Sequence, residues 1–133
     1  MVERGQGRIL NIASTAAFQP GPFMATYYAT KAYVLSFSEA LAHELKGTGV
    51  TVTAHCPGAT ATQFGAVSGN EANKLFTLQK PAEASSVAAH AYAATRSGKA
   101  VSIHGFKNWL GAFSVRFGPR GLVPYFSAML NQP

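Results

Sequence analysis

Residues 8–56 constrain the fold more than any other stretch of this chain. Arg8–Ala13 alternates weakly between polar and apolar positions, bounded by Gly7 and by Ser14-Thr15, which is the pattern of a short strand. Ser14–Met24 holds Pro20, Gly21 and Pro22 and is expected to be a loop. Thr26–Lys46 reads as a long helix. Val34, Leu35, Leu41 and Leu45 form its apolar stripe, and Gly47 and Gly49 end it. Val50–Cys56 is a β-branched run stopped by Pro57-Gly58. Strand, helix, strand with short connections predicts a right-handed crossover in a parallel sheet.

The remainder extends this pattern. Ala59–Gln79 is longer and mixed, with a short helix expected around Glu71–Leu78; connections of this length are usually functional or mobile. Pro81–Arg96 is alanine-rich, with proline at an expected first helical position. Ala100–His104 reads as a short strand. Lys107–Phe117 and Leu122–Leu130 read as two helices separated by Gly118-Pro119 and Gly121. The sum is an α/β domain spanning residues 1–133, with about three parallel strands and flanking helices. At this size about two-thirds of the unfolded surface is buried.

Composition narrows the function classes. The chain is 47% hydrophobic and only 12% charged, so it is globular with an apolar, lightly charged surface that suits a partner. The net charge of +6 comes from scattered Lys and Arg with no stripe and no nucleic-acid motif, which argues against nucleic-acid binding. Cys56 is the single cysteine; it forms no intrachain disulfide, suits a reducing compartment such as the cytoplasm, and is expected as a buried thiol. No apolar run reaches eighteen residues, so no membrane span is expected, and Met1–Gly7 lacks the apolar core of a signal peptide. His43, His55, His90 and His104 are widely spaced and show no zinc pattern, so no metal site is expected. Trp109, Phe113, Phe117 and Phe126 have Arg116 and Arg120 nearby. Such a stripe faces a core or a dimer partner more often than a membrane.

Chemistry enters with Tyr27 and Lys31. Residues four apart on a helix share a face, about 5–6 Å apart at Cβ. A lysine beside a phenol favours the phenolate and makes the tyrosine a proton shuttle for a substrate oxygen. Ser14, arriving at a strand end, offers a hydroxyl to the same oxygen. Tyr28 is the local rival, three residues from Lys31.

Gly7-Arg8-Ile9-Leu10-Asn11-Ile12-Ala13-Ser14, then Tyr27-Tyr28-Ala29-Thr30-Lys31-Ala32, then His55-Cys56-Pro57-Gly58-Ala59-Thr60-Ala61-Thr62 together resemble the short-chain dehydrogenase/reductase family. The family's tyrosine follows its serine by thirteen residues, as Tyr27 follows Ser14. The resemblance implies a Rossmann-like, doubly wound parallel sheet, of which this chain matches the second half. It implies NAD or NADP as cofactor, a small carbonyl or alcohol substrate, and reversible hydride transfer between them. Ser14, Tyr27 and Lys31 would be catalytic. Tyr27, Lys31, Pro57, Gly58, Thr60 and Thr62 would meet the cofactor. Thr60 stands where Ile or Val is common, which leaves open which threonine meets the carboxamide.

The family's glycine-rich phosphate loop has no counterpart in these 133 residues; Gly5-Gln6-Gly7 precedes a strand instead of following one. NAD versus NADP preference therefore cannot be read. The first strand lacks a neighbour on one side, so self-association is expected through that sheet edge or through the long helix. A second expectation competes with the enzyme: a catalytically silent half that serves as an oligomeric or interaction module.

Overall fold

The computed structural model describes residues 1–64, 67 and 80–132. β1 (Gly7–Ile12), β2 (Val50–Cys56) and β5 (Val101–Ile103) form a parallel sheet in the order β1-β2-β5. α1 (Ala25–Glu44) connects β1 to β2, and α2 (Ala84–Arg96) leads into β5. A second parallel pair joins β3 (Thr60–Ala61) to β4 (Ala82–Glu83). α3 (Phe106–Ser114) and α4 (Val123–Asn131) complete the chain.

β2 is the centre, and its alternating side chains face two different layers. Ala54 and Cys56 pack with Ala13 and Leu35, so α1 covers that face. His55, pointing the other way, lies against His90 of α2. The helices thus cover opposite faces, although both connections step across the sheet in the same direction. The two crossovers must therefore have opposite hands, and one is an exception to the right-handed rule. Between α1 and β2, Gly49 takes φ +77, and a Cβ there would run into the Gly5 carbonyl, so only glycine makes this turn.

The three strands of the main sheet fall where the residue pattern places them, β3 and β4 are not expected from it, and three further details differ. The Ser14–Met24 loop contains a 3-10 turn, Thr15–Phe18, capped by Ser14. Pro81 is not the first residue of α2: the helix starts at Ala84 because Ala82 and Glu83 are held in the ladder with Thr60 and Ala61, Ala82 N–H donating to the Ala59 carbonyl at 2.9 Å. α3 and α4 carry their large apolar side chains on exposed surface, so Trp109, Phe113, Phe117 and Phe126 do not form a core stripe. The helix expected at Glu71–Leu78 lies outside the described residues.

β1 is an edge of its sheet. Its inner positions are half-buried while Leu10 and Ile12 remain exposed, so one face of the strand is only partly covered.

Candidate active site

The parallel register brings two chain segments together at the carboxyl ends of the strands. Ile12 pairs with His55, and beyond the ladder Ala13 N–H donates to the His55 carbonyl at 2.8 Å and Thr15 N–H to the Pro57 carbonyl at 2.9 Å. Ser14 and Pro57-Gly58 are therefore neighbours, where ligands of open α/β sheets bind. A cavity of about 770 Å³ opens there. Ser14, Tyr27, Lys31, Pro57, Gly58, Thr60 and Thr62 all line it, so every site residue expected from sequence converges on one space.

Ser14 is buried, and its Oγ accepts Ala16 N–H at 3.1 Å. That contact uses an acceptor site and leaves the hydroxyl proton available to a ligand oxygen. Lys31 Nζ donates to the Ile12 carbonyl at 3.0 Å, which ties α1 to the end of β1. The same Nζ lies 5.7 Å from the Tyr27 ring centroid. Among the described residues no hydrogen bond to the Tyr27 hydroxyl occurs; its ring rests against Phe64 at 5.3 Å and edge-on to Tyr28 at 6.1 Å.

The rival tyrosine has a different job. Tyr28 is buried, and its hydroxyl donates to Asn131 Oδ1 at 3.0 Å, while Asn131 Nδ2 donates to the Pro22 carbonyl at 3.0 Å. Burial pushes its phenol above the ordinary value, against the pull of the Asn131 and Gln19 hydrogen bonds. Tyr28 thus holds α1, the 19–24 loop and α4 together. A Cβ at Gly21 would strike its ring, so that glycine is required by packing.

Thr60 Oγ1 donates to the Gly58 carbonyl at 3.0 Å, and Thr62 Oγ1 accepts Phe64 N–H at 3.3 Å. The resemblance places Gly58 against the cofactor, and a glycine lets a ligand approach the backbone closely. In the structure the Asn108 side chain occupies that approach, with Asn108 Nδ2 donating to the His104 carbonyl at 2.7 Å. Asn108 lines the cavity and no motif marked it, because it reaches the site from a helix some fifty positions downstream.

Cys56 is fully buried, and burial pushes its thiol up to about 11. Three of the four widely spaced histidines also converge. His55, His90 and His104 form a cluster with successive ring centroids 5.4 Å apart, the first pair tilted at 57° and the second edge-on at 72°. His55 is fully buried, its Nδ1 lies 3.4 Å from Ser102 Oγ, and its Nε2 has no hydrogen-bond partner. Burial first, then the neighbouring His90 and His104, lowers its pKa to about 4. Among the described residues no group of His, Cys, Asp or Glu is arranged to hold a metal ion.

The profile of the short chain dehydrogenase family matches residues 1–73. The chain belongs to the short-chain dehydrogenase family. It is 47% identical over 58 residues to a ketoacyl reductase of Nostoc, covering 44% of this chain and 20% of that protein. It is 41% identical over 81 residues to the very-long-chain 3-oxoacyl-CoA reductase of Mus musculus, covering 61% of this chain and 22% of that one. A short-chain dehydrogenase from Sphingobium yanoikuyae, solved with NADPH, superposes with TM-score 0.70 at 32% identity over 88% of this chain and 46% of its own. The chain thus spans less than half the length of the relatives it matches.

Proposed function

We propose that this chain supplies the proton-handling and substrate-holding part of an NAD(P)-dependent oxidoreductase acting on a carbonyl or alcohol. The convergence of Ser14, Tyr27 and Lys31 with the Pro57–Thr62 segment on one cavity carries this reading. A carbonyl oxygen placed between Ser14 Oγ and the Tyr27 hydroxyl would receive a hydrogen bond from the first and a proton from the second. Lys31, anchored by the Ile12 carbonyl, holds its ammonium 5.7 Å from the Tyr27 ring centroid at the wall of the same cavity.

The residues present fit one end of the cofactor. Tyr27, Lys31, Pro57, Thr60 and Thr62 form a wall with hydroxyl, amine and backbone groups suited to a nicotinamide and its ribose, while Asn108 fills the space beside Gly58. When bound, that cofactor supplies or accepts the hydride. No glycine-rich phosphate loop occurs in these 133 residues, so the pyrophosphate end has no matching cradle here. The cavity's apolar lining, with Phe64, Val87, Val115 and Leu130, suits a carbonyl on an apolar chain. That is consistent with the ketoacyl and 3-oxoacyl names of two relatives.

The missing loop and the partly covered edge strand β1 favour a second reading, a silent half that pairs with another chain through β1 or through the exposed Tyr33–Phe37 face of α1. NAD(P)H fluorescence titration separates the two. Saturable micromolar binding that shifts on Lys31→Ala supports the oxidoreductase reading; no binding, with a sedimenting oligomer, supports the silent half.

A further inference from the structure

α4 turns Val123, Phe126 and Leu130 toward the cavity, buries Ser127 and Asn131, each 2% exposed, and leaves Tyr125 and Met129 on the surface. α3 buries only Ala112. Along α3 and just beyond it runs a ladder of rings: Phe106 to Trp109 at 5.9 Å, Trp109 to Phe113 at 5.4 Å, and Phe113 to Phe117 at 5.1 Å. Phe106 and Phe117 are each 75% exposed, Trp109 45% and Phe113 44%. Apolar surface this concentrated marks an interaction site, because hydrophobic burial would ordinarily draw such side chains inward.

The charge of the same segment identifies the partner. Residues 105–133 contain Lys107, Arg116 and Arg120 and no Asp or Glu. All three cations are exposed. We propose that α3 and α4 form an interfacial docking surface for an anionic phospholipid bilayer. The α3 ring ladder sits at the boundary between headgroups and acyl chains, and Arg116 and Arg120 meet lipid phosphates.

Three observations favour this occupant. Aromatic rings beside cations are the composition that the membrane interface accepts. Among the described residues no helix is long and apolar enough to cross a membrane. α3 and α4 have 9 residues each, about 13 Å of helix against a hydrocarbon core of about 30 Å, so they lie in the interface plane. A second copy is a poorer fit, because a two-fold contact would set the three cations near their own mates with no acid to answer them. The proposal does not depend on whether Tyr27 is catalytic.

Trp109 is the only tryptophan, so its emission reports directly on the ladder. The full chain is mixed with vesicles of phosphatidylglycerol and phosphatidylcholine, and separately with phosphatidylcholine alone. Docking shifts Trp109 emission to the blue and brings the chain down with the anionic vesicles. The double variant Arg116→Glu, Arg120→Glu, with unchanged far-ultraviolet circular dichroism, lowers partitioning about 10- to 100-fold, and added salt acts in the same direction. Three results would each overturn the proposal: no shift and no sedimentation, equal binding to neutral vesicles with no effect of charge reversal, or a blue shift that follows protein concentration without lipid.

Discussion

The segment from β1 through β2 and the segment from α3 through α4 pack differently. In the first, Ala13, Leu35, Ala54 and Cys56 close a core between sheet and helix, although Leu10, Ile12, Tyr33 and Phe37 stay exposed. In the second, the helices bury only Ala112, Ser127 and Asn131, and the α3 rings and Met129 face solvent. The first segment holds a closed apolar core; the second has none of its own. The Tyr28–Asn131–Pro22 chain of hydrogen bonds joins them. The adjacent tyrosines mark the division of labour: Tyr27 lines the cavity with no hydrogen bond to its hydroxyl among the described residues, and Tyr28 engages its hydroxyl in the joint.

The largest expected effect tests that division directly. In a form of the protein that turns over, Tyr27→Phe should lower kcat by about 10²–10⁴-fold, as loss of a general acid or base does. Tyr28→Phe should leave kcat within a small factor and lower stability instead. Equal losses of kcat from the two variants would erase the distinction between them.

The next effect concerns the histidine cluster on the far side of β2. His55 falls from 6.5 to about 4 on folding, so the unfolded chain binds more protons between those values. Stability is then complete above pH 6.5 and declines as pH falls toward 4, by up to about 3 kcal/mol. Urea midpoints at pH 7 and pH 4.5 read this loss, and His55→Gln should flatten the difference. A wild-type profile without slope in that window would contradict the burial of a neutral imidazole.

Breaking the joint should cost less. Asn131→Leu removes one of the two side-chain partners of the Tyr28 hydroxyl, Gln19 being the other, and takes the Asn131 donor from the Pro22 carbonyl. The expected loss is about 1–3 kcal/mol, with hydrogen exchange quickening in α4 while β1 and β2 stay protected. Uniform loss of protection would mean that the two segments are one cooperative unit. The smallest effect is at Phe23, exposed and left-handed at φ 66 in the loop before α1. Phe23→Gly should be neutral to stabilising by about 1 kcal/mol, because the substitution removes backbone strain; thermal melts decide the sign.

Much of the first segment could be read from residue order. The β-branched run Val50–Cys56 ends at Pro57-Gly58 because proline and glycine cannot extend the ladder there, and the strand occupies those same residues. The Ser14–Tyr27–Lys31 spacing named the cavity's residues because a strand end and one helical turn are local geometries. Asn108 and the histidine cluster were illegible, since His55, His90 and His104 come from separate elements that only folding brings within ring contact. The α3 stripe, expected to face a core or a dimer partner, faces no core, for a related reason. Periodicity locates an apolar face on a helix, but not what stands opposite it.

By itself, then, the sequence determined the strand–helix–strand unit, the family and the Ser14, Tyr27 and Lys31 positions that the fold brings to one cavity, because short-range backbone preferences and one-turn spacings are written in consecutive positions. Tertiary structure alone decided which tyrosine is structural, that Asn108 fills the space beside Gly58, and that α3 and α4 expose their rings. Those outcomes depend on which distant segments meet, and no local pattern encodes that.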